Sequence, residues 1–198
     1  MKKSTTRITI VIALLIVVVV SYYAYLSNKK RAERPDTRET FVQETLSKNL
    51  ERDYPPTPTE VLKYYNNIQK CFYNEEYTEE EFEGLVLKVR ELYDEELLEQ
   101  NSLADQTIQL LMEIKEFKDK KRTITYISQP SSVNVVYDTM DGYRFAKIYC
   151  GYNVMEAGAN KQITQVFLLR KPDEKPNEKW KIYGWKAQDT FQETGIGE

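Results

Sequence analysis

The chain of 198 residues contains no histidine. That removes the side chain used most often as a general acid or base near neutral pH. Cysteine is scarce as well, with Cys71 and Cys150 the only two, and two thiols without a histidine imply no metal site. No segment is of low complexity, and no repeat recurs at a period of roughly 20 to 50 residues, so solenoids and repeat arrays are excluded. Positive charge is also short: from Pro35 onward 21 basic residues face 30 acidic ones, a balance of −9. This is the wrong sign for a nucleic-acid surface. The expectation is a chain with no metal, no cofactor and no nucleic-acid partner.

What the sequence does have is an apolar run from Ile8 to Leu26, 19 residues without a charged group. As a helix it is about 28 Å long, which matches a hydrocarbon core of roughly 30 Å. A removable signal peptide has a shorter apolar core, followed by small residues in an Ala-x-Ala pattern. Here Ser21, Tyr22, Tyr23, Ala24, Tyr25 and Leu26 follow instead, and no cysteine stands there for lipidation. The three tyrosines suit an aromatic belt at a membrane face. Residues 8–26 are therefore expected to be an uncleaved signal-anchor whose partner is the lipid bilayer. Lys2, Lys3 and Arg7 precede it and Lys29, Lys30, Arg31 and Arg34 follow it. Charge alone leaves orientation open. A short basic tail (1–7) directly before an apolar core favours a cytoplasmic N-terminus, with everything after Leu26 outside the cytoplasm.

Residues 27–56 are read as a charged stalk, with Phe41, Val42, Leu46 and Leu50 as a sparse helical stripe. The main domain is placed at 57–189 and a flexible tail at 190–198. Thr57, Pro58 and Glu60 form a helix start, and Val61, Leu62, Tyr64, Tyr65, Ile68, Cys71 and Phe72 keep helical spacing after it. A second helix starts near Thr78, with Glu81 three residues on and Phe82, Leu85, Val86, Val89 and Leu92 on one side. A third starts at Ser102, with Leu103, Thr107, Leu110, Leu111, Ile114 and Phe117 facing inward. The crowded acidic stretch from Glu75 to Glu83 reads as a helix N-terminus stabilised by the helix dipole, since its spacing lacks a calcium loop.

After Lys121 the hydrophobic period falls from about 3.6 to 2. Five segments rich in β-branched and aromatic residues follow: RTITYISQP, SSVNVVYD, GYRFAKIYCGYNVME, KQITQVFLLRK and EKWKIYGWKAQD. Within the third, Ala146, Ile148, Cys150, Tyr152 and Val154 share one face. Short connections at Asp141-Gly142 and Ala157 to Asn160 imply antiparallel neighbours. Helices first and a meander of strands afterwards make an α+β fold, with three helices on one face of a curved antiparallel sheet of about five strands.

This order, with Trp180, Lys181, Ile182, Tyr183 and Trp185 in the last strand, resembles the nuclear-transport-factor-2-like group of α+β cone domains. Anchor plus cone is similar in layout to uncharacterised single-pass membrane proteins of Firmicutes, and in arrangement alone to inner-membrane scaffold subunits of type IV secretion systems. The resemblance implies a cone whose interior can hold a ligand, with Tyr126, Tyr137, Tyr149, Tyr152 and Tyr183 as the tyrosines placed in or near it. Catalytic members use an Asp, Tyr or His as base or oxyanion donor inside the cone. Here Asp138 and Asp141 fall at a strand end and a turn, the ordinary place for solvated carboxylates. The expectation is accordingly a non-catalytic module of the cell envelope that docks a protein partner or a second copy of itself. The alternative is capture of a small or peptide-like ligand in the cone. Cys71 and Cys150 lie on faces that can meet, so they either form a disulfide outside the cytoplasm or remain two buried thiols.

Overall fold

The computed structural model describes residues 39–128, 132–174 and 178–188. The expected tail 1–7, the apolar run 8–26, the first part of the stalk and the tail 190–198 lie outside them. Among the described residues no helix is long and apolar enough to cross a membrane.

Among the described residues five helices precede the sheet: the three expected for the domain, the short one expected in the stalk, and a further one between the second and third. Helix α1 (Phe41–Ser47) starts at Thr40, whose side chain accepts from the Gln43 amide while Gln43 reaches back to the Thr40 amide. Helix α2 (Pro58–Asn74) starts at Thr57 with Pro58 in its first turn, and α3 (Glu79–Arg90) starts at Thr78 with the reciprocal Glu81 bond. Helix α4 (Glu95–Gln100) is capped by Asp94, and α5 (Leu103–Asp119) by Ser102. The expected starts at Thr57, Thr78 and Ser102 are thus the observed ones.

The sheet is antiparallel throughout. It contains β1 (Thr123–Ser128), β2 (Val136–Met140), β3 (Tyr143–Glu156), β4 (Ala159–Pro172) and β5 (Lys181–Ala187). The order is not a simple meander. β1 pairs with the second half of β3 and β2 with its first half, so the two form one interrupted edge strand beside β3, with β4 and then β5 on the other side. Two-residue loops join β2 to β3 and β3 to β4. Asp141 and Gly142 have φ of 52° and 78°, and Ala157 and Gly158 have 51° and 83°. Positive φ at both positions is the hairpin turn whose twist matches the flanking strands.

One irregularity at each edge of the sheet shapes the interior. On β1, Ile124 pairs with Val154 but Tyr126 pairs with Asn153, leaving Thr125 extra. On β5, Leu168 pairs with Gly184 but Leu169 pairs with Ile182, leaving Tyr183 extra. Each bulge shifts the alternation by one residue. Ile124 and Ile127, three apart, are both buried, and Ile182 and Trp185, also three apart, both meet core partners on β4.

The core lies between α2 and the face of β3 carrying Ala146, Ile148, Cys150, Tyr152 and Val154, all buried as expected. The part of the stalk that is described requires correction. Val42, Thr45 and Leu50 are buried, Tyr64 donates to the Thr45 carbonyl and Lys179 to that of Leu50. From Phe41 onward this stretch is therefore an integral wall of the domain: few apolar residues suffice when Val42 and Leu50 are fully covered and Phe41 and Leu46 pack against the same core. Cys71 and Cys150 are buried free thiols. Cys71 meets the Thr45 hydroxyl at 3.5 Å, while Cys150 accepts from the Asn66 amide at 3.4 Å. Each sulfur packs against its own polar neighbour, so no bridge joins them.

Near β5, the chain from Leu92 to Asp94 runs alongside the strand. The Ile182 amide donates to the Leu92 carbonyl at 2.8 Å, and the Asp94 amide to the Ile182 carbonyl at 2.9 Å, which covers part of an otherwise open edge. Arg170 locks this corner. Its guanidinium is buried, donates to both Asp94 oxygens at 2.9 and 2.7 Å and to Glu96 at 2.7 Å, and lies 4.3 Å from the ring centres of both Tyr143 and Tyr183.

Candidate functional site

Helix α5 is amphipathic, yet of its side chains only Ile114 is fully buried. Leu103 and Leu111, expected on the inner face, are 45% and 49% exposed. Leu111 stands one residue past Leu110, about 100° round the helix, and so faces outward. The inner face of α5 spans open space, a cavity of about 660 Å³. That volume falls in the range of small-molecule sites.

Each wall follows from helical or strand spacing. Tyr65, Gln69, Phe72 and Tyr73 line one side from α2, at intervals of three and four that place them along one face. Gln106, Gln109, Leu110, Glu113 and Phe117 repeat that spacing on α5. Tyr93, Leu97 and Asn101 close the end near α4, and Tyr152, Gln165 and Trp185 form the floor from β3, β4 and β5. The bulge at Tyr183 is what brings Trp185 to this floor; its ring centre is 5.6 Å from that of Tyr93 and 6.0 Å from that of Tyr65. On the α5 side, Tyr73 and Phe117 pair at 4.8 Å.

The charged groups of the lining already have partners. Tyr73 donates to Glu113 at 3.2 Å, and Arg122 meets Glu156 at 3.2 Å and Glu116 at 3.9 Å. Arg90 donates to the Gln106 carbonyl oxygen at 2.6 Å, which leaves the amide nitrogen of Gln106 for the neighbouring Tyr93. The side chains of Gln69, Gln109 and Gln165 hold no hydrogen bond to another described residue.

Burial pushes the Tyr65, Tyr93 and Tyr152 phenols above their ordinary range, with Arg90 working weakly against this at Tyr93. Tyr73 is raised by burial and then by Glu113. A phenol held protonated at neutral pH is a hydrogen-bond donor and not a base. Glu116 is lowered by its bond to Lys120 and stays ionised. The chemistry on offer is recognition through aromatic faces, phenols and amides.

Of the five tyrosines expected at the cone, two border the cavity. Tyr152 lies on its floor and donates to Asn66 at 2.7 Å, and Tyr183 lies at its edge and donates to Glu96 at 3.0 Å. The structure places the other three elsewhere. Tyr126 and Tyr149 pair with Asn153 and Val166 on the outer face of the sheet, and the Tyr137 ring lies tilted against Trp180, 6.0 Å between centres. Sequence reading passed over the glutamines. The available signal was phase: Gln69 and Gln106 occupy the same helical faces as the apolar residues, where an amide needs a reason.

The chain belongs to the family described as Domain of unknown function (DUF6715), whose model matches residues 1–185. No curated protein and no solved structure matches the chain.

Proposed function

For a chain of this family we propose a non-catalytic capture module: a cone of the nuclear-transport-factor-2-like kind, held at the cell membrane by residues 8–26 and facing away from the cytoplasm, that binds a small ligand beneath α5. One observation carries this reading. The space under α5 is open, and three glutamine side chains border it without a partner among the described residues. A cone built only for docking gains stability by filling its interior, whereas a binding site needs unfilled volume with convergent polar groups. The family match spans the apolar run together with the cavity-bearing part, in keeping with anchor and cone as one working unit.

A docking role for the same module draws support from Ile108, Leu111 and Met112, which are exposed on the outer side of α5. The two roles separate experimentally. Leu110→Trp directs an indole into the cavity and leaves the outer side of α5 intact. Mass spectrometry of small molecules carried by the full chain in nanodiscs is expected to find a ligand with the unaltered protein and none with Leu110→Trp. An equal yield from both sinks the capture reading. For topology, Glu174→Cys is expected to react with a membrane-impermeant maleimide in intact cells; protection until lysis overturns the outward placement.

A further inference from the structure

We infer that the ligand is a neutral, polyhydroxylated molecule, a sugar of one or two rings either free or as the end of a glycan. The inference rests on the capture reading and asks what chemistry the lining of that cavity selects. Charge is the first constraint. Arg122, the cation of the lining, is engaged by Glu156 and Glu116, so an anionic ligand finds no uncommitted counter-charge and loses its hydration without repayment, while Glu113, which accepts from the neutral Tyr73 phenol, is a further acceptor for a hydroxyl. A purely apolar ligand such as a fatty chain fares no better, because it leaves Gln69, Gln109 and Gln165 desolvated and unbonded.

The remaining groups fit a sugar. A primary amide offers a carbonyl acceptor and an N–H donor side by side, and a pair of neighbouring hydroxyls presents the same two functions in the same span. The three free amides come from α2, α5 and β4, on different sides of the space, so hydroxyls arranged around a ring can each meet one. The phenol of Tyr93, which receives bonds from Tyr65 and Gln106, adds a donor. Trp185 and Tyr93, 5.6 Å apart, and Tyr73 and Phe117, 4.8 Å apart, supply aromatic faces for the C–H faces of a sugar ring. A peptide also carries neutral donors and acceptors, but its alternating backbone groups are matched best by a free strand edge. In this cavity the sheet contributes side chains except at Gly184, and along β5 the edge at Ile182 is occupied by Leu92 and Asp94.

The test uses the full chain in lipid nanodiscs, which avoids glycosidic detergents, and follows tryptophan emission. Trp185 borders the cavity and Trp180 does not. Maltose, cellobiose and di-N-acetylchitobiose are titrated beside sodium dodecanoate and the peptide Ala-Ala-Ala. At least one disaccharide is expected to saturate, with the response lost in Trp185→Phe. Gln109→Ala, at an exposed helix position that favours alanine, and Gln165→Ala are each expected to weaken it about tenfold, the scale of one lost hydrogen bond. Saturation by dodecanoate or the peptide with no disaccharide response overturns the sugar assignment and leaves capture standing. Disaccharide binding that ignores both glutamine variants overturns the assignment of the site. Silence from every probe, together with the absence of a carried small molecule in the Leu110→Trp comparison, overturns both readings.

Discussion

Alkaline titration probes the buried phenols that hold the interior together. Tyr64, Tyr65, Tyr93 and Tyr152 are each at most 7% exposed, and burial pushes each well above the ordinary value of 10.0. In the unfolded chain these phenols lose their protons near pH 10; in the folded chain they keep them. Above pH 10 the folded state therefore binds more protons than the unfolded one, and stability falls as pH rises. Each such group contributes a slope of about 1.4 kcal/mol per pH unit, so four contribute about 5 to 6. Against a typical stability of about 5 to 15 kcal/mol, cooperative unfolding is expected roughly one to three pH units above 10. Phenolate absorbance at 295 nm, followed beside far-ultraviolet circular dichroism, reads both events. The expected trace has an early phase from water-exposed phenols and a later step carrying at least four more, coincident with loss of helix signal. Tyr152→Phe removes one phenol from that step. Complete, reversible titration of all tyrosines with the helix signal intact refutes the reasoning, since it means that the interior admits phenolates without cost.

Three further outcomes are expected. Arg170→Leu leaves Asp94 facing Glu96 without a cation, and thermal or urea unfolding is expected to show a loss of about 3 to 5 kcal/mol; a loss below 1 kcal/mol contradicts the lock at that corner. Ala157 holds a positive φ that costs a non-glycine residue about 1 kcal/mol, so Ala157→Asn is expected to raise the urea midpoint, and an unchanged midpoint counts against strain in that turn. Cys71 and Cys150 are expected to resist a thiol reagent in the folded protein and to react fully in guanidinium without reductant, because both are buried and burial raises both thiols; a need for reductant means that they pair.

The helices were legible wherever their starts carry chemistry. Thr57, Thr78 and Ser102 each accept from the amide three residues on, and that spacing of cap and acidic partner is written in the local sequence. The long hairpin of β3 and β4 was equally plain, since a two-residue turn joins the strands, another opens β3, and the alternation along β3 is unbroken from Ala146 to Val154. Helix α4 was not legible: it is six residues long with no buried side chain, and it is held by Asp94, Glu96 and Arg170, the last about 75 positions away. The sparse stripe of α1 gave its helical form but not its burial, which depends on Lys88, Lys179 and Tyr64 reaching it from elsewhere. For the site, strict alternation placed Tyr152 correctly. It failed at β5, where the extra Tyr183 reverses the phase and brings Trp185 in with Ile182.

That reversal has an evolutionary corollary. Trp185 shares a face with Ile182 although the two stand three positions apart, because Tyr183 is extra to the ladder. Deleting Tyr183 would remove the bulge and leave the two residues two apart on a regular strand, still on one face. Losing the bulge at the present length would instead turn the indole out to solvent and Lys186 in. Strand length and bulge are therefore coupled: a family that keeps this floor should combine three-step spacing with a bulge or two-step spacing without one, while the identities of the intervening residues drift.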